Sequence, residues 1–391
     1  MAQTSAARMM LNQTVQITSS LELPASGTMI VEVDPWKDPR WEAFVLGHPD
    51  ATIYHHPAWL KALETEYCQR SLFLACQDQD GTLQGVFPLM YTRGLPFSRG
   101  PLTGPRLSSL PRTPLAGPLA ADPAALAALV REALRQASVH SVQLQIKAQA
   151  EELNDGIEQI VRKAWRQTYI VPLAGKPGQP YQIPGGQNRS SIKRSINKAI
   201  ASGVRTRPAE TEGDLLIWYR IYLETMRRNV VPARPYRFFL ALWELMRSTE
   251  MMRLLLAEQQ TEAGARIIGG HLFFTFGSTV TYAFGASRAS DFALRPNDII
   301  MGQAINDASM AGCKFVDLGE VPEGDDDLAR FKTKWGAEPV RLYRYYFPDF
   351  ADADHSSDKT ASSALVLARK IWSRLPLGMT AWLGDQIYTY L

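Results

Sequence analysis

Leu254–Phe276, LLLAEQQTEAGARIIGGHLFFTF, decides the fold, because Leu72–Tyr91, LFLACQDQDGTLQGVFPLMY, has the same pattern in the first half of the chain. Each is two runs of aliphatic and aromatic residues around a polar turn, the pattern of an antiparallel hairpin. The surroundings repeat as well. A helix over Pro57–Tyr67, with Pro57 in its first turn and Trp59, Leu60, Leu63 and Tyr67 on one face, precedes the first hairpin. Two helices precede the second. One is capped by Asp214 and carries Leu215, Trp218, Tyr222 and Met226; the other, Pro235–Ser248, uses Phe238, Leu242 and Leu245. After the hairpins come more strand (brief pieces within 94–118, and Thr279–Ala286), a helix (Asp122–Gln136, Asn297–Ala311) and a short apolar strand (Val142–Ile146, Phe315–Leu318). Gln167–Pro172 and Val340–Phe347 read as further strands.

Self-similarity over most of two halves points to a duplicated domain rather than a solenoid. The expected fold class is α+β, two lobes of mixed, centrally antiparallel sheet flanked by helices, with the groove between them as the default ligand site. The expected divisions are a disordered N-terminus over 1–29, a first domain over 30–187, a second over 188–350 carrying the site, and 351–391 as linker and amphipathic helical tail.

Composition narrows the functional classes. The chain has 391 residues, 46% hydrophobic, with 42 basic against 39 acidic side chains. That balance does not announce a DNA-binding protein, so any basic site is local. Cys68, Cys76 and Cys313 are widely spaced and odd in number, which fits neither a disulfide framework nor a zinc site; a reducing compartment, no metal and no cofactor are expected. Residues 1–29 lack the apolar core of a signal peptide, and no apolar run approaches the ~18 residues of a membrane span. A cytoplasmic location follows as an expectation.

Candidate chemistry gathers in Lys314–Gly336, KFVDLGEVPEGDDDLARFKTKWG. A short strand bounded by Gly312 and Gly319 leads to an acidic loop, Glu320–Asp327, and a basic, aromatic cluster, Phe331–Gly336. A strand running into a polar loop is where functional groups are commonly displayed. Two further basic sets stand out. Asn188, Arg189, Lys193, Arg194 and Lys198 form one, with residues 189, 193 and 194 on one helical face; Arg227, Arg228 and Arg234 form the other. Each reads either as a solvated face or as a receptor for phosphate. His55 and His56 lack a third ligand at metal spacing and suit a helix entry.

The hairpin–helix–strand order, with Gly269-Gly270-x-Leu272 after Ile267-Ile268, resembles the GNAT acyltransferase fold. The doubling, the F-x-D-x-G strand (Phe315, Asp317, Gly319) and the F-K-x-x-W-G ending (Phe331, Lys332, Trp335, Gly336) resemble the Fem family, and within it the FemAB-related proteins of Gram-negative bacteria. The resemblance runs from Pro35 to Phe347. It implies two tandem GNAT-like domains and an N-acyltransferase that moves an aminoacyl or acyl group onto an amine of a cell-envelope precursor, as Fem enzymes do with aminoacyl-tRNA on peptidoglycan peptides. It assigns Lys332 to the developing oxyanion. Phe331 and Trp335, on either side, are expected to hold its stem with the ammonium aimed into the groove, and to serve as substrate contacts. Asp317 is a strand partner or a base. Arg234, just ahead of Phe238-Phe239, is the phosphate contact, with Arg228, Arg189, Lys193 and Arg194 as further substrate-binding candidates.

Donor alternatives stay open: aminoacyl-tRNA, acyl-CoA or an acyl carrier protein. Ala293–Asp298 has no glycine, and Pro296 removes an N–H, so the helix start that would hold a CoA pyrophosphate is poorly equipped. A non-catalytic binder of an envelope precursor is the reading outside enzymes. In the tail, Arg369, Lys370 and Arg374 punctuate Ile371, Trp372 and Leu375, followed by Met379, Trp382, Leu383, Ile387 and Tyr388. Such a segment lies at a membrane interface, here the inner membrane, or packs across the two lobes.

Overall fold

Both hairpins form in a computed structural model that describes residues 27–67, 69–94, 104–149, 153, 157–173, 175, 177–183, 185–262, 264–349, 370–388 and 390. In the first half, β1 (Met29–Glu32), α1 (Pro39–Gly47) and α2 (Pro57–Tyr67) lead to the hairpin β2 (Ser71–Gln77) and β3 (Leu83–Thr92). Then follow β4 (Arg106–Ser108), β5 (Leu119–Ala120), α3 (Pro123–Val139), β6 (Gln143–Ala148) and β7 (Val161–Pro172). The second half runs α4 (Gln187–Ala201), β8 (Val204–Pro208), α5 (Glu212–Arg228), α6 (Tyr236–Met246), and the meander β9 (Met252–Thr261), β10 (Gly264–Phe276) and β11 (Thr279–Ser287). It closes with α7 (Pro296–Met310), β12 (Phe315–Val321), α8 (Asp326–Thr333), β13 (Glu338–Phe347) and α9 (Leu377–Tyr388). The expected disorder over 1–26, the linker over 351–369 and Cys68 lie outside the described residues, while Met29 already opens β1.

Local chemistry sets the helix starts. Asp122 accepts from Ala124 and Ala125 N–H at the head of α3, with Pro123 at the first position. Asp214 is not the cap of α5: Thr211 is, and Asp214 answers it three residues on in a capping box. The expected acidic loop is shorter than read. β12 runs to Val321, and Asp325 caps α8 by accepting from Leu328 N–H.

All the strands among the described residues belong to one sheet, in the order β1-β2-β3-β4-β6-β13-β7-β12-β11-β10-β9-β8, with β5 paired to β3 off that path. The last strand, β13, is inserted between β6 and β7, with Tyr345 facing Ile146 on one side and Arg162 on the other. The sheet is therefore continuous across the two lobes. In each lobe one parallel pair opens after three rungs. β4 meets β6 only over Arg106–Ser108 and Gln143–Gln145, and β11 meets β12 only over Thr279–Thr281 and Phe315–Asp317. Beyond those rungs the strands separate into two wedges.

One apolar core joins the lobes. Trp59 of α2 meets Phe238 of α6 and Phe274 of β10 edge-on at 5.5 Å each. Each such side chain contributes roughly 1.5–3 kcal/mol by burial, and edge-to-face pairs add about 0.5–1.5 kcal/mol. Two further cores fill the opposite faces, under α3 and under α7. The tail helix α9 packs across the joint. Asp385 pairs with Arg237, Arg227 donates to Leu375 O at 3.0 Å, and a Cβ on Gly384 would come within 2.6 Å of Ala233 O. Among the described residues no helix is long and apolar enough to cross a membrane.

Candidate active site

The wedges of the two lobes open into one cleft of ≈ 510 Å³. Its first-lobe wall carries Arg106, Arg112 and Lys147; the central strands β7 and β13 add Trp165, Arg166 and Arg344; the second lobe adds Tyr282, Phe284, Gly319 and Glu320, over Tyr54 and Trp59. Among the described residues, Arg106, Arg112, Lys147, Arg166 and Arg344 thus face a single carboxylate in the cleft, Glu320. Gathering like charges is unfavourable unless an anion balances them.

The cationic wall is held rigidly. Buried Lys147 donates from Nζ to Leu110 O at 2.5 Å and Thr113 O at 3.0 Å, and so ties down the loop that carries Arg112. That loop bends through two left-handed residues, Leu110 (φ 58°) and Arg112 (φ 52°), which persist only where surroundings enforce them. Burial, and then the charges of Arg344 and Arg106, drive Lys147 well below the usual lysine range. The Arg344 guanidinium lies 3.3 Å from the centre of the Trp165 ring, and its buried Nε has no hydrogen-bond partner. Arg166 also approaches that ring, at 5.0 Å. Burial lowers Arg344 and Arg106.

The second-lobe wall is built by two irregularities. β11 takes one extra residue, Ala283, because Leu272 faces Phe284 while Phe273 faces Tyr282. β12 bulges between Asp317 and Glu320, where Gly319 sits at φ +79°. Asp317 Oδ1 accepts from Gly319 N–H at 2.8 Å and from Thr168 Oγ1 at 2.5 Å, so it holds the turn; burial raises its carboxyl. Lys332, from α8, reaches beneath the same turn. Its Nζ donates to Gly319 O at 2.8 Å and Glu320 O at 3.0 Å. The exposed ammonium expected from sequence is corrected here: Lys332 is only 4% exposed, because its stem is enclosed where α8 meets the sheet. Burial pushes it down to about 8, against the pull of Asp317.

Lys332 and Asp317 therefore meet at the base of the second wedge, and the other sequence candidates divide. Trp335 is fully buried in the second-lobe core, and its carbonyl accepts from Tyr181 Oη at 2.7 Å. Phe331 packs on that core with the Lys334 ammonium 4.3 Å over its ring. Arg234 is 3% exposed and paired with Glu66 at 2.5 Å; it reaches the cleft indirectly, donating to Arg112 O at 2.6 Å. Arg228 donates to Ser287 O at 3.4 Å and lies over Phe292, outside the cleft lining. Arg189, Lys193 and Arg194 project into solvent from α4. His55 and His56 sit at the entry to α2: His55 bonds Thr52 and Gly117 O, and His56 bonds Glu42.

Sequence reasoning missed the cationic wall and Glu320. The available signal was alternation: Gln143, Gln145 and Lys147 occupy every second place of a strand whose other face is apolar. A larger cavity, ≈ 810 Å³, lies at the opposite end of the second lobe among Trp243, Met251, Leu255, Phe273 and Val280. Its charges are mixed, with Arg247 and Arg253 beside Glu210, Glu250 and Asp307, and Arg253 is paired with Asp307 at 2.5 Å.

Residues 186–333 match the family model described as the acetyltransferase (GNAT) domain. No curated protein matches the chain in sequence. Among solved structures it is similar to FemX, with TM-score 0.61 and 15% identity over 81% of this chain and 96% of that one. It is also similar to a C-terminal domain named for a lysylphosphatidylglycerol synthetase from Agrobacterium fabrum (TM-score 0.53, 12% identity, 81% and 92% covered). L-PGS from Bacillus licheniformis is similar as well (TM-score 0.50, 13% identity, 84% and 98% covered). Residues 186–333 thus match a GNAT acetyltransferase domain, and the chain as a whole has a doubled fold similar to that of FemX.

Proposed function

We propose that the chain transfers an aminoacyl or acyl group to the amine of an anionic cell-envelope precursor or related small molecule, in the cleft between its lobes. The observation that carries this reading is the cluster of Arg106, Arg112, Lys147, Arg166 and Arg344 opening onto the β11–β12 wedge. Charge of one sign, desolvated and stacked on Trp165, suits a phosphate or carboxylate group of the acceptor. The wedge supplies the place where donor carbonyl and amine meet.

Acyl transfer to an amine needs little covalent help; it needs alignment and a stabilised oxyanion. The amine attacks the donor carbonyl, and the C–O or C–S bond of the donor breaks. Two Lys332 N–H groups are held by Gly319 O and Glu320 O, and the third has no partner among the described residues; we assign it to the oxyanion. On the donor side, the β11–α7 connection is a 3-10 turn, Ala289–Leu294, followed by left-handed Arg295 and Pro296, which leaves no glycine-lined cradle. That favours an aminoacyl ester or a carrier-bound acyl group over free acyl-CoA. We also place the protein on the cytoplasmic side, with the exposed Met379 and Trp382 of α9 as a candidate contact with the inner membrane.

Native mass spectrometry of the protein purified from its host tests the reading. An anionic, amine-bearing ligand should accompany the wild type and be lost in Arg344→Ala and Arg106→Ala. A neutral ligand, or one retained equally by both variants, would refute it.

A further inference from the structure

Among the described residues, Glu320 is the one acidic side chain lining a cleft whose other charged groups are arginine and lysine. Its position is fixed from behind, since Lys332 holds its backbone carbonyl at 3.0 Å. Its side chain is nonetheless poorly satisfied. Oε2 has only a long contact, 3.5 Å, with Arg166 Nη1, and Oε1 is buried without a hydrogen-bond partner. A buried polar atom left unpaired costs about 1–3 kcal/mol, so such an atom beside a cavity marks a place for a donor that arrives with a ligand. The arginines cannot be that donor's purpose: five cations already exceed what one carboxylate balances, and Arg344 Nε is itself left without an acceptor.

We infer that Glu320 receives the acceptor's ammonium group, so that the cleft selects a primary amine whose own molecule also carries an oxyanion. This rests on the proposed transferase reading and adds the base that reading lacks. The amine arrives as R–NH3+, gives one proton to Glu320, and attacks the donor carbonyl with the lone pair so released. The C–N bond forms, and the C–O or C–S bond breaks. The second nitrogen proton leaves with the alkoxide or thiolate, giving amide and alcohol or thiol. Every proton is accounted for within the amine, Glu320 and the leaving group. The oxyanion of the same molecule sits against Arg344 and Arg106, which sets the reach between charge and amine.

Titration calorimetry on the full chain with two probes tests this: O-phosphoethanolamine, and ethyl phosphate, which is the same molecule cut back by its ammonium. The wild type should bind phosphoethanolamine roughly tenfold or more tighter, the size expected of one charge-assisted hydrogen bond. Glu320→Gln should erase that preference while keeping ethyl phosphate binding. Glu320→Asp, which keeps the charge and shortens the reach, should retain part of the preference. Arg344→Ala should weaken both probes together. A preference that survives Glu320→Gln overturns the inference, as does equal binding of the two probes to the wild type. A merely structural pairing with Arg166 would instead show as tighter ethyl phosphate binding in Glu320→Gln at unchanged preference, and that too overturns it. Failure of the wild type to bind either probe would sink the anionic-acceptor reading itself, and the inference with it.

Discussion

Lys332 shows what a motif can and cannot reveal. Its place in F-K-x-x-W-G was legible, but its burial was not, because the walls that enclose it come from β12 and from α8 folding back. The consequence is a double phenotype. Lys332→Ala should lower the turnover number by roughly 10²–10³-fold if its third N–H meets the oxyanion, with acceptor affinity little changed. It should also lower the denaturation midpoint, since Gly319 O and Glu320 O lose their donor. Lys334→Ala, which removes the pair with Asp298 and the ammonium over Phe331 but no group bonded to the Gly319–Glu320 turn, is the control and should leave turnover nearly intact. The pH dependence separates roles. Burial lowers the folded-state value to about 8 from the ordinary 10.5, so the unfolded chain holds this proton more tightly. Stability should therefore rise with pH between about 8 and 10.5, and Lys332→Met should flatten the rise. A working ammonium predicts turnover falling above pH ~8; turnover rising through that range would mean the neutral amine is the active form. Arg106, Lys147 and Arg344 were illegible as a set because three separate strands bring them together.

The elements with local signals were read well and those without were not. α2 and α3 have Pro at or near their starts, and α3 a capping Asp. α1 was missed because its only buried apolar residues are Trp41 and Val45, too few to make a period. α8 was missed because Asp325, Asp326 and Asp327 look like a loop until Asp325 is seen as a cap. The insertion of β13 between β6 and β7 has no local signal at all, since pairing partners lie far apart in sequence. Two predictions belong here. Gly319→Ala puts a Cβ at φ +79° and 3.4 Å from Tyr282 O, so it should cost about 1–2 kcal/mol in urea unfolding and distort the β12 wall. Stability and turnover both unchanged would show that the turn is not strained. The start of α7 should not hold a CoA pyrophosphate. Calorimetry giving a low-micromolar dissociation constant, about −8 kcal/mol, would contradict that.

At the scale of the molecule, duplication was legible but its joint was not. The lobes share a sheet, a core and a tail helix, and α9 takes the packing role rather than standing free. Trp382 is still 62% exposed, so Trp382→Ala should leave stability within about 0.5 kcal/mol. If α9 also meets the membrane, that change should release the protein from anionic vesicles; undiminished binding would remove α9 as the contact. The joint itself is tested at Arg234 and Glu66, from α6's approach and α2 respectively, a pair almost wholly withdrawn from water. Arg234 also stacks on Phe238 at 4.5 Å and fixes Arg112 O, so it links the core to the cleft. Removing one partner of a buried pair leaves a bare charge, and Arg234→Ala should cost about 3–5 kcal/mol near pH 8. Burial already pushes Glu66 up to about 7, and without Arg234 it would go higher. A carboxyl raised above its unfolded value contributes stability at low pH that is lost as pH climbs through the folded value. The cost of Arg234→Ala should therefore grow as pH rises above about 7, where the wild type ionises Glu66 and the variant still holds its proton, and level off below it, where both are protonated. Arg234→Met with Glu66→Leu, which removes both charges and keeps volume, should recover most of the loss. A cost independent of pH, or a double variant no better than the single, would mean that packing rather than charge makes Arg234 necessary to the joint.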